Sequence, residues 1–170
     1  MFLAVLLASL SLYAYPSEID SLLRELDMSI RNRPQYTLKR QEQIDVLQRK
    51  LRLSHSDQER YDLYRELFGK YRSYRMDSAL WVANQRVELA KRMKNPLYVR
   101  SAELNIAEVM IGVAMYKEGL EILDGIKSAD LDASGVSYYY YQYHQVYTLM
   151  ADYAFSDQMK EHYRGLAYQY

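Results

Sequence analysis

The chain has 170 residues, with 22 Lys and Arg balanced by 22 Asp and Glu, 49% apolar residues and no cysteine. That composition suits one folded domain and excludes wholesale disorder, disulfides, thiol catalysis, cysteine-based zinc sites and a lipoprotein cysteine anchor. Six glycines and three prolines are too few for the turns of a β-rich fold, so helices are expected.

Phe2 to Leu12 is an uninterrupted apolar run of eleven residues, followed by Tyr13-Ala14-Tyr15-Pro16. A run of that length suits the core of an export signal and is too short to span a bilayer. Cleavage after Ala14 fits, so residues 1–14 are read as a signal peptide and the chain as exported. No Lys or Arg precedes the run, which leaves open a start placed too late or a buried N-terminal helix.

Ser17 with Asp20 three residues on resembles a helix cap, and Ile19, Leu22, Leu23, Leu26 and Ile30 follow at helical spacing. Asn32-Arg33-Pro34 is expected to end that helix, because proline cannot donate to the ladder. A second helix is expected from Gln35 to Leu53, with Tyr36, Ile44, Leu47 and Leu51 on one side, making residues 16–53 a helical hairpin. Ser54-His55-Ser56 is a break, and Ser56 with Glu59 forms a second capping box.

Beyond it a pattern of small–x–Tyr–x–x–small recurs. Ala114-Met115-Tyr116-Lys117-Glu118-Gly119 is one copy and Ala151-Asp152-Tyr153-Ala154-Phe155-Ser156 another, 37 residues on. Tyr74 to Ala79 is a degenerate third, with Met76 in the tyrosine position. A period of this size means stacked helix–turn–helix units. The units are read as 56–94, 96–130 and 134–170, with Asn95-Pro96 opening the second. Tyr138-Tyr139-Tyr140-Tyr141 has local β propensity, yet Tyr140, Tyr143, Tyr147 and Met150 keep helical spacing, so a helix is expected there. The chain stops on Tyr168-Gln169-Tyr170 without a polar terminator, which favours a fragment of a longer protein.

These residues resemble tetratricopeptide (TPR) repeats. Ala107, Met110, Ala114, Tyr116, Gly119 and Leu123 fall where that motif places a small residue, a large apolar residue, Gly, Tyr, Ala and a large apolar residue. Gly119 departs from the usual Ala, and His144 stands where a small residue is usual. The fold implied is an all-α, right-handed α-α superhelix. The stretch 16–170 also resembles the N-terminal region of a Bacteroidetes family of exported, membrane-tethered TPR regulators. Leu22-Leu23-Arg24-Glu25-Leu26-Asp27 with Asn32-Arg33, Tyr61-Asp62-Leu63-Tyr64-Arg65-Glu66-Leu67-Phe68, Tyr71-Arg72-Ser73-Tyr74 and Asp77-Ser78-Ala79 carry that likeness. The resemblance implies a periplasmic sensing or scaffolding module, with any membrane tether outside this chain.

Charge is uneven. Residues 31–100 hold 17 Lys/Arg against 8 Asp/Glu, whereas residues 101–170 hold 4 against 10. Solvated helix faces explain this, or a polarised solenoid that steers a charged partner. No Gly-rich or zinc motif and no basic tail points to nucleic acid. His55, His144 and His162 have no metal-ligand spacing, and no GxSxG or phosphate loop is present, so neither metal, cofactor nor catalysis is expected.

Tyrosine is the anomaly, with nineteen in all. Tyr140, Tyr143 and Tyr147 are expected in the core, as is Trp81. By the repeat register, Tyr138, Tyr141 and Gln145 should lie on the concave face of the third unit. Ser101, Leu104, Glu108 and Ile111 should do so in the second, and Tyr61, Tyr64 and Phe68 in the first. Exposed aromatics on a rigid concave surface supply contact area at low entropic cost. The expected function is non-catalytic recognition of a protein or peptide, with self-association or a saccharide stacked on the tyrosines as alternatives.

Overall fold

The computed structural model describes residues 18–170. The export-signal reading of residues 1–14 and the cap at Ser17 lie outside them. Among the described residues are seven α-helices, one short 3-10 turn and no strand. The fold is the all-α, TPR-like helical repeat, and the four-tyrosine run lies within a helix.

The chain divides after Glu42 into two compact units. The expected hairpin over 16–53 does not form. A single helix, α1 (Glu18–Leu53), runs through with Pro34 inside it. An internal proline costs about 3 kcal/mol. A turn here would have to be made by Asn32-Arg33-Pro34-Gln35, which contains no glycine, and Leu, Met, Arg and Gln on either side are good helix formers. In the first unit Ile19, Leu22, Leu23, Leu26 and Ile30 consequently stay 53–66% exposed.

In the second unit, Gln43–Tyr170, the end of α1 is followed by three helix pairs. These are α2 (Asp57–Tyr71) with α3 (Met76–Arg92), α4 (Pro96–Gly112) with α5 (Tyr116–Asp124), and α6 (Ala133–Asp152) with α7 (Asp157–Ala167). The first helix of each pair starts on a side-chain cap. Ser56 accepts from the Glu59 amide, Asn95 from Tyr98 and Asp132 from Gly135. Each cap satisfies one of the amides a helix leaves unpaired at its start.

The core is continuous along this stack. Ile44 and Leu47 of α1 pack with Leu63, Leu67, Phe68 and Tyr71 of α2 and with Ala79, Val82 and Ala83 of α3. Tyr61, Val87, Ala90 and Ala102 join the first pair to the second. Leu104, Ala107, Ile111, Leu123, Tyr143 and Val146 join the second to the third. Small residues allow the close approach. A Cβ on Gly119 would stand 2.8 Å from Cγ1 of Ile111, so α5 can lie this near α4 only with glycine there.

Two joints between helices turn through left-handed backbone at residues other than glycine, Lys94 (φ 53°) and Ala114 (φ 63°). At each, the two amides beyond the helix end fold back onto its carbonyls. Lys94 N–H donates to Lys91 O and Asn95 N–H to Ala90 O, while Ala114 N–H donates to Ile111 O and Met115 N–H to Met110 O. This is the Schellman arrangement, in which glycine is usual.

Candidate functional site

The exposed strip of α4 passes through Ser101, Glu108 and Gly112, spaced seven and four residues apart and therefore on one helix face. Glu108 lies at its centre. Arg72, at the end of α2, donates from Nη1 to Glu108 Oε1 at 2.8 Å, and the Tyr138 hydroxyl on α6 donates to Glu108 Oε2. One carboxylate thus ties together the first helices of all three pairs. Burial, and then the charge of Glu108, push the Tyr138 phenol above its ordinary range, so it stays a donor.

Beside this knot lies an open cavity of about 540 Å³, lined by Arg72, Ser73, Met76, Glu108, Val109, Gly112, Tyr138, Tyr141 and Gln145. Met76, Val109 and Gly112 supply apolar surface, while Arg72, Glu108 and Gln145 supply polar groups. Tyr141 is 58% exposed, so its ring is free to cover a ligand.

Four of the residues expected on the concave face, Tyr138, Tyr141, Gln145 and Glu108, therefore share one cavity. Ser101 is half-buried two turns before Glu108 on α4. The others do not join them. Leu104 is 1% exposed in the core against α5 and α6, because its place three residues from Ser101 and four from Glu108 sets it on the flank of the strip. Ile111 and Phe68 are buried likewise. Tyr61 is buried too. It stacks on Tyr98 with ring centroids 4.4 Å apart, and its hydroxyl donates to Tyr98 O at 2.8 Å. Tyr64 is half-buried, edge-on to Trp81 at 6.0 Å. In the first helix pair the exposed strip of α2 runs through Arg65 and Arg72 instead, because Tyr61, Tyr64, Phe68 and Tyr71 turn inward.

Trp81, expected in the core, is 55% exposed on α3. Tyr143 is buried, and its hydroxyl donates to Asp124 at 2.6 Å, but Tyr140 is on the surface. Tyr143 stacks on Tyr170 at 4.5 Å, so the last residue covers part of the aromatic cluster.

Sequence reasoning missed Arg72, Met76 and Gly112. The signal was present, since Arg72, Glu108 and Gln145 are 36 and 37 residues apart, one repeat period each. Reading tyrosines as the surface residues hid it.

A second polar group lies under the same strip. Arg86 on α3 is 1% exposed, and its guanidinium donates to Asn105 Oδ1 and lies 4.4 Å over the Tyr61 ring. Gln142 on α6, fully buried, donates to Leu104 O at 3.0 Å. Among the described residues no group of three His, Cys, Asp or Glu side chains could hold a metal ion. Among them too, no helix is long and apolar enough to cross a membrane.

A groove built by successive first helices is what solenoid proteins offer to partners. No curated protein and no solved structure matches the chain significantly. A family model described as the SusR N-terminal TPR domain matches residues 30–170, which covers the three helix pairs and most of α1. The chain belongs to that family.

Proposed function

We propose that the chain is a non-catalytic scaffold that binds a protein or peptide in the groove along α2, α4 and α6, as the periplasmic sensing part of a membrane-associated signalling or transcription-regulatory protein. One observation carries the binding half of this reading. Three successive repeats contribute to a single open cavity, and an aromatic ring at its rim is left uncovered. Rigid aromatic anchors of this kind dominate recognition surfaces. The apolar run at residues 2–12 supports export, and the family's name supports a regulatory role.

Self-association is the alternative. Tyr153 and Phe155 in the turn before α7 and Tyr168 just after it are 77–90% exposed and favour it.

The test is selection of groove-binding segments from a random peptide library displayed on phage. Tyr141→Ala should abolish recovery of those segments and leave the melting temperature unchanged, because the ring makes little of the core. Equal recovery on wild type and variant would remove the groove from consideration. Size-exclusion chromatography showing a dimer that Phe155→Ser dissolves would support the alternative.

A further inference from the structure

The first half of α1 carries an apolar stripe that no described residue covers. Ile19, Leu23, Leu26 and Ile30 stand at 4-3-4 spacing on one helix face, with Leu22 at its edge, and all five are 53–66% exposed. Among the described residues of the first unit this helix is the only element. A lone helix of that length takes most of its stability from burying such a face, and Pro34 weakens this one further. The stripe is a surface that needs a cover.

Symmetry and charge say what the cover is. The stripe reads Ile-Leu-Leu-Ile in either direction about a midpoint between Arg24 and Glu25, and a two-fold interface demands that kind of self-complementarity. Two antiparallel copies centred there set each Ile19 opposite an Ile30 and each Leu23 opposite a Leu26. Asp20, Arg24, Asp27 and Arg31 line one flank of the stripe. In the antiparallel pair Asp27 comes within a turn of the second copy's Arg24, and Asp20 within a turn of its Arg31. Among the described residues Arg24, Asp27 and Arg31 form no ion pair within the chain. A parallel pair turns that flank toward Glu18 and Glu25, acid beside acid at both Asp20 and Asp27. A bilayer surface suits the stripe less well, because interfacial helices line their polar face with Lys and Arg rather than with acids.

We propose that this stripe is a dimer interface, through which two copies of the chain pair antiparallel over residues 18–31 of α1. The apolar layers supply the attraction, and the Asp27–Arg24 and Asp20–Arg31 contacts fix the direction. The interface is separate from the groove along α2, α4 and α6 and from the exposed aromatics around α7. Because the stripe is covered only in the pair, the order of this helix rises with protein concentration.

The experiment is sedimentation equilibrium of the purified chain, with the double variant Leu23→Ser, Leu26→Ser beside it. Wild type should be a dimer at micromolar concentration, and the variant should raise the dissociation constant at least about a hundredfold, since four leucines leave the interface. The variant should still fold, because neither residue belongs to the core of the second unit. Direction is read by spin labels. The chain has no cysteine, so Thr37→Cys takes a single label. In the antiparallel pair the two labels stand about 38 Å apart along the axis, whereas a parallel pair brings them to about 10 Å. A monomeric wild type would overturn the proposal, whether the stripe then binds anionic vesicles, is covered within its own chain or stays bare. A dimer that survives the double variant would overturn it as well, and its loss in Phe155→Ser would move the interface to α7. A label distance of about 10 Å would overturn the antiparallel pairing. None of these results bears on recovery of groove-binding peptides, so the two readings fail separately.

Discussion

Gly119 offers a direct measurement of how tightly the second helix pair is closed. It sits in the first turn of α5, and replacing glycine by alanine inside a helix ordinarily stabilises by about 1 kcal/mol. Here the new methyl group would meet Ile111 Cγ1 at 2.8 Å, with the Ala107 carbonyl oxygen 3.5 Å away. Ile111 is 2% exposed and held by the core it shares with Leu104, Leu123 and Tyr143, so it has nowhere to retreat. Overpacking of this kind costs about 1–3 kcal/mol, which outweighs the propensity gain and leaves Gly119→Ala destabilising by up to about 2 kcal/mol. Gly165 on α7 is the internal control, since a Cβ there meets nothing within 4 Å, and its alanine variant should gain about 0.5–1 kcal/mol. Urea unfolding followed by circular dichroism reads both. In an Ile111→Ala background the Gly119→Ala penalty should vanish, because the obstructing atom is gone. If Gly119→Ala stabilises as much as Gly165→Ala does, the steric reading of the α4–α5 contact is wrong.

The left-handed joints give the opposite sign. Lys94→Gly and Ala114→Gly should each stabilise by roughly 0.5–1 kcal/mol, since glycine adopts that backbone without the Cβ clash, and a fall in the urea midpoint would argue against it. At high pH the tyrosines decide. Burial first, then the charge of Glu108 at Tyr138 and the hydrogen bond to Asp124 at Tyr143, raises the folded-state pKa of both phenols above 10.0. Their contribution is therefore fully present below the unfolded value and lost as pH rises past it, by at most about 1.4 kcal/mol per pH unit for each phenol. Urea midpoints should stay flat up to about pH 9 and fall beyond about pH 10, and a midpoint independent of pH across that range would contradict the burial of these hydroxyls.

Much of the second unit was legible because its signals are local. Ser56, Asn95 and the period of about 37 residues set helix starts without reference to the rest of the chain, and Tyr140 to Met150 kept helical spacing through a β-prone run. Reading failed where the outcome depends on competition. At Pro34 the missing hydrogen bond argues for a break, but the good helix formers on either side carry the helix across it. Along α2 the tyrosines could serve core or surface, and a phenol that finds a carbonyl, as Tyr61 finds that of Tyr98, is content inside. Arg72 and Arg86 show the converse. Charge suggested solvent for both, whereas one fixes Glu108 in the groove and the other lies beneath it. No local pattern distinguishes those fates, because each is decided by a partner 19 or 36 residues away.

The three-way knot at Glu108 has a mechanical consequence. In a stack whose units touch only their neighbours, stiffness is ordinarily set one joint at a time. A carboxylate that grips Arg72 on one side and Tyr138 on the other instead braces two successive joints at once, like a strut fixed across a hinge. Loss of that grip would free both joints of the row together. Glu108→Gln, which keeps the shape and removes the charge, should loosen that row, and small-angle scattering would register it as a broader distribution of dimensions.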